Sequence, residues 1–350
     1  MKKIVVGMSG GVDSTVAVYL LQQAGYELHG VMLRMWKAGG KVCEVEKHQE
    51  KLAEEAARQL GISFTVLDVR KQFREIVVEY FIRSYESGIT PNPCFYCNRR
   101  LKFDALIKYA DSHRIQWVSS GHYARISSEE GVVRLLRGKD PKKDQSYMLA
   151  SLRTEQLSRL VLPLGGLTKD QVRMIAVEQN FKAGESKESQ DVCFLPDGDY
   201  AAFLQEQNAD VDQEGDIVNR SGEKIGHHRG LAFYTIGQRK GLGIYAPEPT
   251  YVLDKDYKEN RLIVGRKEEL GKSHMLVKSI CWHQAPAAFP FSCDVEIRYH
   301  AKPAIGKVSA TDPGEVSVDF QTPLRDITPG QAAVFYNGDE VIGSGIIADE

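Results

Sequence analysis

Hydrophobic and polar positions follow two alternating periods over residues 1–198. Short apolar runs, "KKIVVGM", "LHGVMLRMW" and "SFTVLDV", are each followed by a stretch with apolar residues at helical spacing: "TVAVYLLQQAG", "KHQEKLAEEAARQLG" and "FREIVVEYFIRSYESG". The helix "LKFDALIKYADSH" and the run "WVSSGHYARI" continue the series. Strand and helix in strict succession predict crossover units, hence an α/β fold whose parallel sheet is covered on both faces. From Asp199 to Glu248 the chain turns Gly-rich and polar, and "NRSGEKIGHHRGLAFYTIGQRKGLGI" reads as a small module without a large core of its own. Only short strand candidates follow: "YVLDKD", "RLIVGR", "MLVKSICW", "CDVEIRYH", "IGKVSATD", "EVSVDFQT", "QAAVFYN" and "VIGSGIIAD". Their turn-punctuated spacing predicts a small all-β barrel. The expected division is a catalytic domain at 1–198, a small central domain at 199–268 and a C-terminal β-barrel at 269–350.

Composition narrows the class. With 42% hydrophobic and 26% charged residues in 350, the chain is an ordinary globular protein of several domains. A net charge of -2 argues against wholesale coating of nucleic acid but leaves room for a local basic groove. The apolar run after Met1-Lys2-Lys3 is broken almost at once by Gly and Ser, too soon for a signal peptide or a membrane span, and no membrane partner is expected. Six cysteines do not make a disulfide scaffold, so a reducing cytoplasm is the expected setting and the thiols stay available for chemistry.

The first strand-to-helix turn carries "GMSGGVDSTVA", Gly7 to Ala17. Gly10 and Gly11 let backbone amides point inward, and the helix N-terminus adds its positive end, which makes an anion cradle. No Lys precedes Ser14, so this is not a Walker A loop. Asp13 beside a phosphate calls for a Mg2+ or an amide network between them. A second signal is the pair Cys94 and Cys97 in "NPCFYCNRRLKF", behind a rigid turn and at the head of a predicted helix. Basic neighbours Arg99, Arg100 and Lys102 and the helix N-terminus should lower the Cys97 pKa. Zinc would want a second close pair, and Cys281 and Cys293 are too far apart. Cys43, Cys281 and Cys293 read as small apolar core residues.

The loop "SGGVDS" resembles that of the N-type ATP pyrophosphatases. "TPNPCFYCNRRLKF", "SGHYAR", "KKDQSYMLASL", "ESQDVCF", "TIGQRKGLGI" and "PGQAAVFYNGD" occur in the order found in the tRNA-specific 2-thiouridylases. That resemblance implies ATP and Mg2+ as cofactors, the anticodon stem-loop of tRNA as substrate, and a persulfide-donating carrier protein or cysteine desulfurase as partner. It implies adenylation of the wobble uridine at its C2 oxygen and sulfur transfer through catalytic Cys97 and Cys193. ATP would be held by Gly7, Met8, Ser9, Gly10, Gly11, Val12, Asp13, Ser14, Leu33 and Gly121. Asn92, Pro93 and Cys94 would meet the target base, and His122, Lys143, Asp144, Gln145, Arg298, Tyr299 and Gln331 would contact tRNA. The basic stretch His227 to Gly241 adds a phosphate-binding surface.

One position departs from the pattern. Many family members carry Asp where this chain has Cys94, and a thiol cannot copy a carboxylate's acceptor geometry. Cys94, Cys97 and Cys193 could then hold an iron-sulfur cluster with one iron open. Other readings are a different tRNA-modifying or amide-forming synthetase with the same loop, or a non-catalytic RNA-binding module. The second has no use for an intact phosphate loop, and the first has no need of two distant cysteines.

Overall fold

The computed structural model describes residues 1–36, 44–181, 192–195, 199–207, 211–245 and 248–348. The strands of the first part are β1 (Lys3–Gly7), β2 (Glu27–Arg34), β3 (Ser63–Asp68), β4 (Trp117–Ser120), the hairpin β5 (Ala124–Glu129) and β6 (Val132–Arg137), and β7 (Leu160–Val161). Five of them form one parallel sheet in the order β3-β2-β1-β4-β7. β1 shows why the sheet is covered on both sides. Val5 packs into one core cluster and its neighbours Ile4 and Val6 into another, all fully buried, as the two-residue period of a strand requires. Helix α2 (Glu44–Gln59) lays Ala53, Ala56 and Ala57 on the second face.

The central module contains β8 (Gly215–Asn219), β9 (Lys224–His228), β10 (Tyr251–Asp256) and β11 (Arg261–Gly265), in the order β10-β11-β8-β9. "YVLDKD" and "RLIVGR" therefore belong to this sheet and not to the barrel series. The module shares its core with the first domain: Ile217, Val252, Leu262 and Val264 lie in one cluster with Phe73, Phe81 and Cys97. The remaining strands are β12 (Lys272–Trp282), β13 (Phe291–Glu296), β14 (Ala304–Ala310), β15 (Val316–Leu324), β16 (Ala332–Asn337) and β17 (Glu340–Ile347). They run β12-β15-β14-β13-β16-β17, and β17 pairs back onto β12 to close an antiparallel barrel with no free edge.

The run "WVSSGHYARI" is not one strand. It breaks at Gly121, after which β5 and β6 leave the parallel sheet and join the barrel through Val341–Leu135 and Glu340–Leu136 pairing. Leu135 is fully buried there, so the first domain and the barrel are fastened by a shared sheet. No helix among the described residues is long and apolar enough to cross a membrane.

Candidate active site

The glycine loop lies at the C-terminal end of β1, where strand order reverses between β2 and β4, the usual ligand crevice of an open parallel sheet. Helix α1 (Val12–Gln23) begins at Gly11, whose position has no side-chain cap, so amides of the first turn stay open to an anion. The loop is locked from within. Ser14 Oγ donates to Gly11 O at 2.9 Å and accepts from Ser9 N at 3.2 Å. Gly10 has φ +77, and a Cβ there would sit 2.3 Å from the backbone oxygen of Gln49. Met8 is buried, and its amide donates to Val31 O at 2.8 Å, so this residue seats the loop on the sheet. Leu33, half-buried at the end of β2, packs against the two clusters that flank the crevice.

Asp13 is neutralised by a residue that local sequence could not reveal. Lys169 Nζ lies 2.7 and 2.8 Å from its two carboxylate oxygens, and Tyr123 OH donates to it at 2.6 Å. The Lys169 side chain is only 6% exposed. The charge beside the phosphate site is thus met by a buried ammonium. That ammonium supplies in this structure the positive partner that the sequence reading assigned to a Mg2+ or an amide network. The signals in the chain were the capping box "TKDQ", in which Thr168 and Gln171 fix the start of the helix Lys169–Glu178, and the Tyr after "SGH".

Gly121 closes the loop from the β4 side. A Cβ there would meet the backbone of Asp13 and Ser14 at 2.8 Å. Gly121→Ala is expected to push α1 off its seat, costing about 1–3 kcal/mol of stability. Because the displaced atoms are the phosphate cradle, the KM for ATP should rise at least tenfold, which steady-state kinetics and thermal melting together would show.

Next to Gly121, His122 packs 5.7 Å from the Phe103 ring with Nδ1 2.7 Å from Ser120 Oγ. Its enclosure, and then the charge of Lys102, push the imidazole pKa down to about 3, so at neutral pH it is an uncharged group. The charge of Lys102 also acts on Cys94, Cys97 and Cys193. This lysine follows the short helix Pro93–Cys97, which Asn92 caps by accepting from Phe95 N at 3.1 Å, with Pro93 in the first turn.

The thiols do not behave as local charge suggested. Cys97 ends that helix one turn in, and not at its N-terminus. Arg100 is 5.8 Å over the Tyr96 ring, and the Arg99 charge acts on Cys281 and His283 in the barrel. Cys97 is 8% exposed, and burial pushes its thiol up to about 11 while Lys102 pulls against it. Cys193 is solvent-exposed at residue level, yet the surroundings of its thiol, then Cys97 and Cys94, raise it toward about 12. The residues beside Cys193 are firmly docked: Phe194 is 1% exposed and packs 5.2 Å from Phe81, 5.6 Å from Phe73 and 5.9 Å from Trp36. Half-buried Cys94 is raised as well, by burial. Among the described residues, which include all three cysteines, no three His, Cys, Asp or Glu side chains gather as a metal-holding group. Cys281 and Cys293 are half-buried, and Cys43 falls outside the described residues.

The barrel reaches the same region. Gln331 Nε2 donates to Thr90 O at 2.9 Å and Pro91 O at 3.3 Å, holding the segment that leads into Asn92. Tyr299 lies 6.0 Å from Tyr147, whose ring lies 6.2 Å from Phe95. Arg298 donates through Nη2 to Thr328 at 2.6 Å, and its buried Nε has no hydrogen-bond partner in the described structure. It lines a cleft of ≈ 500 Å³ between barrel and central module with Arg325, Gln238, Thr235 and Tyr200. Of the expected tRNA tripeptide, Asp144 and Gln145 are turned inward. Asp144 accepts from Gly138 N and Ser146, and Gln145 Oε1 accepts from Tyr123 N. Lys143 is half-buried. In the basic stretch, His228 is buried, accepts from Gly230 N and is depressed by burial, which takes it out of any phosphate surface.

Fold and site together define a class: a nucleotide-dependent α/β enzyme whose phosphate loop is linked through Gly121, His122 and Lys102 to a group of thiols, extended by two β modules. The chain matches the tRNA methyl transferase HUP domain over residues 2–197, the corresponding PRC-barrel domain over 201–266, and the aminomethyltransferase beta-barrel domain over 272–347. It is 43% identical to the tRNA-specific 2-thiouridylase MnmA of Chloroflexus aurantiacus, with 99% of each chain covered. It is 44% identical to that of Chloroflexus aggregans over 99% of each, and 41% identical to that of Geobacter metallireducens over 99% of this chain and 96% of the relative. The chain belongs to the tRNA-specific 2-thiouridylase family and is a tRNA-thiolating sulfurtransferase of the PP-loop type.

Proposed function

We propose that the enzyme adenylates the C2 oxygen of the wobble uridine and replaces that oxygen with sulfur carried on Cys193. The observation that carries this reading is the physical link between the two chemistries. Gly121 packs on the phosphate loop, and its neighbour His122 shares the field of Lys102 with all three thiols.

MgATP enters as substrate, its phosphates held by the open amides of Ser9 to Gly11 and α1. The C2 oxygen attacks the α phosphorus and pyrophosphate leaves. A persulfide on Cys193, supplied by a protein donor, then attacks C2 and AMP departs with the original oxygen. Cys97 sulfur attacks Cys193 Sγ. The bond to the outer sulfur breaks, its electron pair completes the 2-thiocarbonyl, and a Cys97–Cys193 disulfide remains. Two moderate steps replace one difficult displacement. The raised thiol pKa values fit this division of labour. A plain Cys193 thiol is a poor nucleophile at neutral pH, whereas a persulfide is a stronger acid and a better one. The uridine must be splayed from its loop to reach the site, as single-stranded anticodon bases can be. Arg298 and Arg325, which line the cleft, supply charge for the phosphate backbone.

AMP and pyrophosphate formation should be strictly dependent on unmodified tRNA and should match 2-thiouridine one for one when a persulfide donor is present. AMP release without tRNA, or on a small amide-accepting metabolite, would overturn the reading.

A further inference from the structure

Cys94 stands outside the chemistry just described, and its position gives it a use. It occupies the second turn position of the helix Pro93–Cys97, three residues before Cys97. Side chains at that spacing share a helix face, roughly 5–6 Å apart at Cβ, and a disulfide between them forms when this first helical turn opens enough to bring the Cβ atoms to about 4 Å. Cys97 is fixed in the core cluster that also holds Phe194 and Leu195, so the turn carrying Cys193 is seated against the same helix. The three residues differ in exposure. Cys193 is exposed, Cys94 half-buried and Cys97 buried. After sulfur transfer, the oxidised product is a bond between the most and the least accessible of them.

We propose that Cys94 is a resolving thiol, which takes over the Cys97–Cys193 disulfide and frees Cys193 to be loaded again. This rests on the sulfur-transfer reading above. Cys94 gives up its proton to solvent and its sulfur attacks Cys97 Sγ. The Cys97–Cys193 bond breaks, Cys193 leaves as thiolate and is reprotonated, and a Cys94–Cys97 disulfide forms. One disulfide replaces another, so no electrons are gained or lost in the exchange. A dithiol reductant then attacks Cys94, the more open sulfur of the new pair, and returns both to thiols. The advantage is spatial. A bulky reductant has no need to reach buried Cys97, and exposed Cys193 becomes available to the sulfur donor before reduction is complete.

The test uses the full-length enzyme, persulfide-loaded in advance, with unmodified tRNA, MgATP and limiting dithiothreitol. Turnover is stopped with an alkylating agent and the disulfides are mapped on non-reduced peptides. The wild type is expected to accumulate Cys94–Cys97, and Cys94→Ser to accumulate Cys97–Cys193. The ratio of steady-state rate to first-turnover burst should fall at least tenfold in Cys94→Ser. A wild-type enzyme that holds Cys97–Cys193 while Cys94 alkylates freely would overturn the resolving role and leave sulfur transfer standing. Thiolated tRNA with no disulfide at Cys97 would sink both. A second measurement does not depend on turnover. In a dithiothreitol redox titration of the wild-type protein, Cys94–Cys97 should be the first bond to form. Stoichiometric iron held by the three thiols in anaerobically purified protein would also overturn the proposal.

Discussion

In Cys97→Ala, AMP and pyrophosphate formation on unmodified tRNA is expected to continue for a single turnover while 2-thiouridine falls on the order of 10³-fold or more. In the proposed reaction adenylation would use the loop from Ser9 to Ser14 and the Asp13–Lys169 pair, none of which touches Cys97 in the hydrogen-bonding scheme. What is lost is the sulfur that cleaves the Cys193–sulfur bond once the outer sulfur is attached to C2. The variant should therefore trap a covalent enzyme–tRNA adduct through Cys193, visible as a gel shift that a thiol reductant removes. Cys193→Ala should give neither adduct nor product. If Cys97→Ala thiolates at a tenth of the wild-type rate or better, Cys97 is not the cleaving sulfur. The pH dependence is a further check. Burial holds the Cys97 thiol protonated at neutrality, with a pKa pushed to about 11, so its thiolate fraction rises with pH across the working range. Single-turnover sulfur transfer in the wild type should climb between about pH 7 and 9, approaching tenfold per unit. A flat profile would mean that this ionisation does not limit transfer.

The chain made some of this arrangement legible and hid the rest for identifiable reasons. The parallel sheet could be read because Ile4, Val5 and Val6 are apolar on both faces of a central strand, and the glycine loop because its chemistry is local. The barrel strands announced themselves by turn spacing. The hairpin of β5 and β6 did not, because its partner is β17, some two hundred residues further on, and only the Leu135–Val341 register reveals it. Lys169 is 156 positions from Asp13, and no local pattern ties a capped helix start to a phosphate loop. Cys97 is the instructive failure. Its sequence neighbours Arg99, Arg100 and Lys102 argue for a stabilised thiolate, yet Arg100 lies over Tyr96, the Arg99 charge acts on Cys281 and His283, and burial outweighs the remaining lysine. Charge adjacency in sequence fixes a pKa only when the side chains also meet in space.

The same principle governs the seam between the catalytic domain and the barrel, where the largest loss of stability is expected. Arg137 of β6 donates through Nη2 to Glu296 of β13 at 2.7 Å, approaches Asp144 at 3.3 Å, and stacks 3.6 Å over the Tyr336 ring. The carboxylate side chains are only 7% and 10% exposed. Asp144 has other donors in Gly138 N, Ser146 N and Ser146 Oγ, whereas Glu296 has the guanidinium and the Tyr336 hydroxyl. Arg137→Met keeps the stem and removes the charge, leaving two carboxylates buried together, and should cost about 3–5 kcal/mol in denaturant unfolding at pH 8. Glu296→Gln added to that background should recover much of the loss. The pH dependence has a definite sign. Burial raises the Glu296 pKa above its ordinary value even though Arg137 pulls it down, so the native state holds this proton more tightly than the unfolded chain does. Its contribution is therefore fullest at low pH and fades as pH rises through the folded value. Without Arg137 the folded value moves further up, so the deficit of the variant should be larger at pH 8 than at pH 5.5. A deficit below about 1 kcal/mol at both, the range of exposed ion pairs, would show that water reaches this network and that the shared sheet alone fastens the barrel.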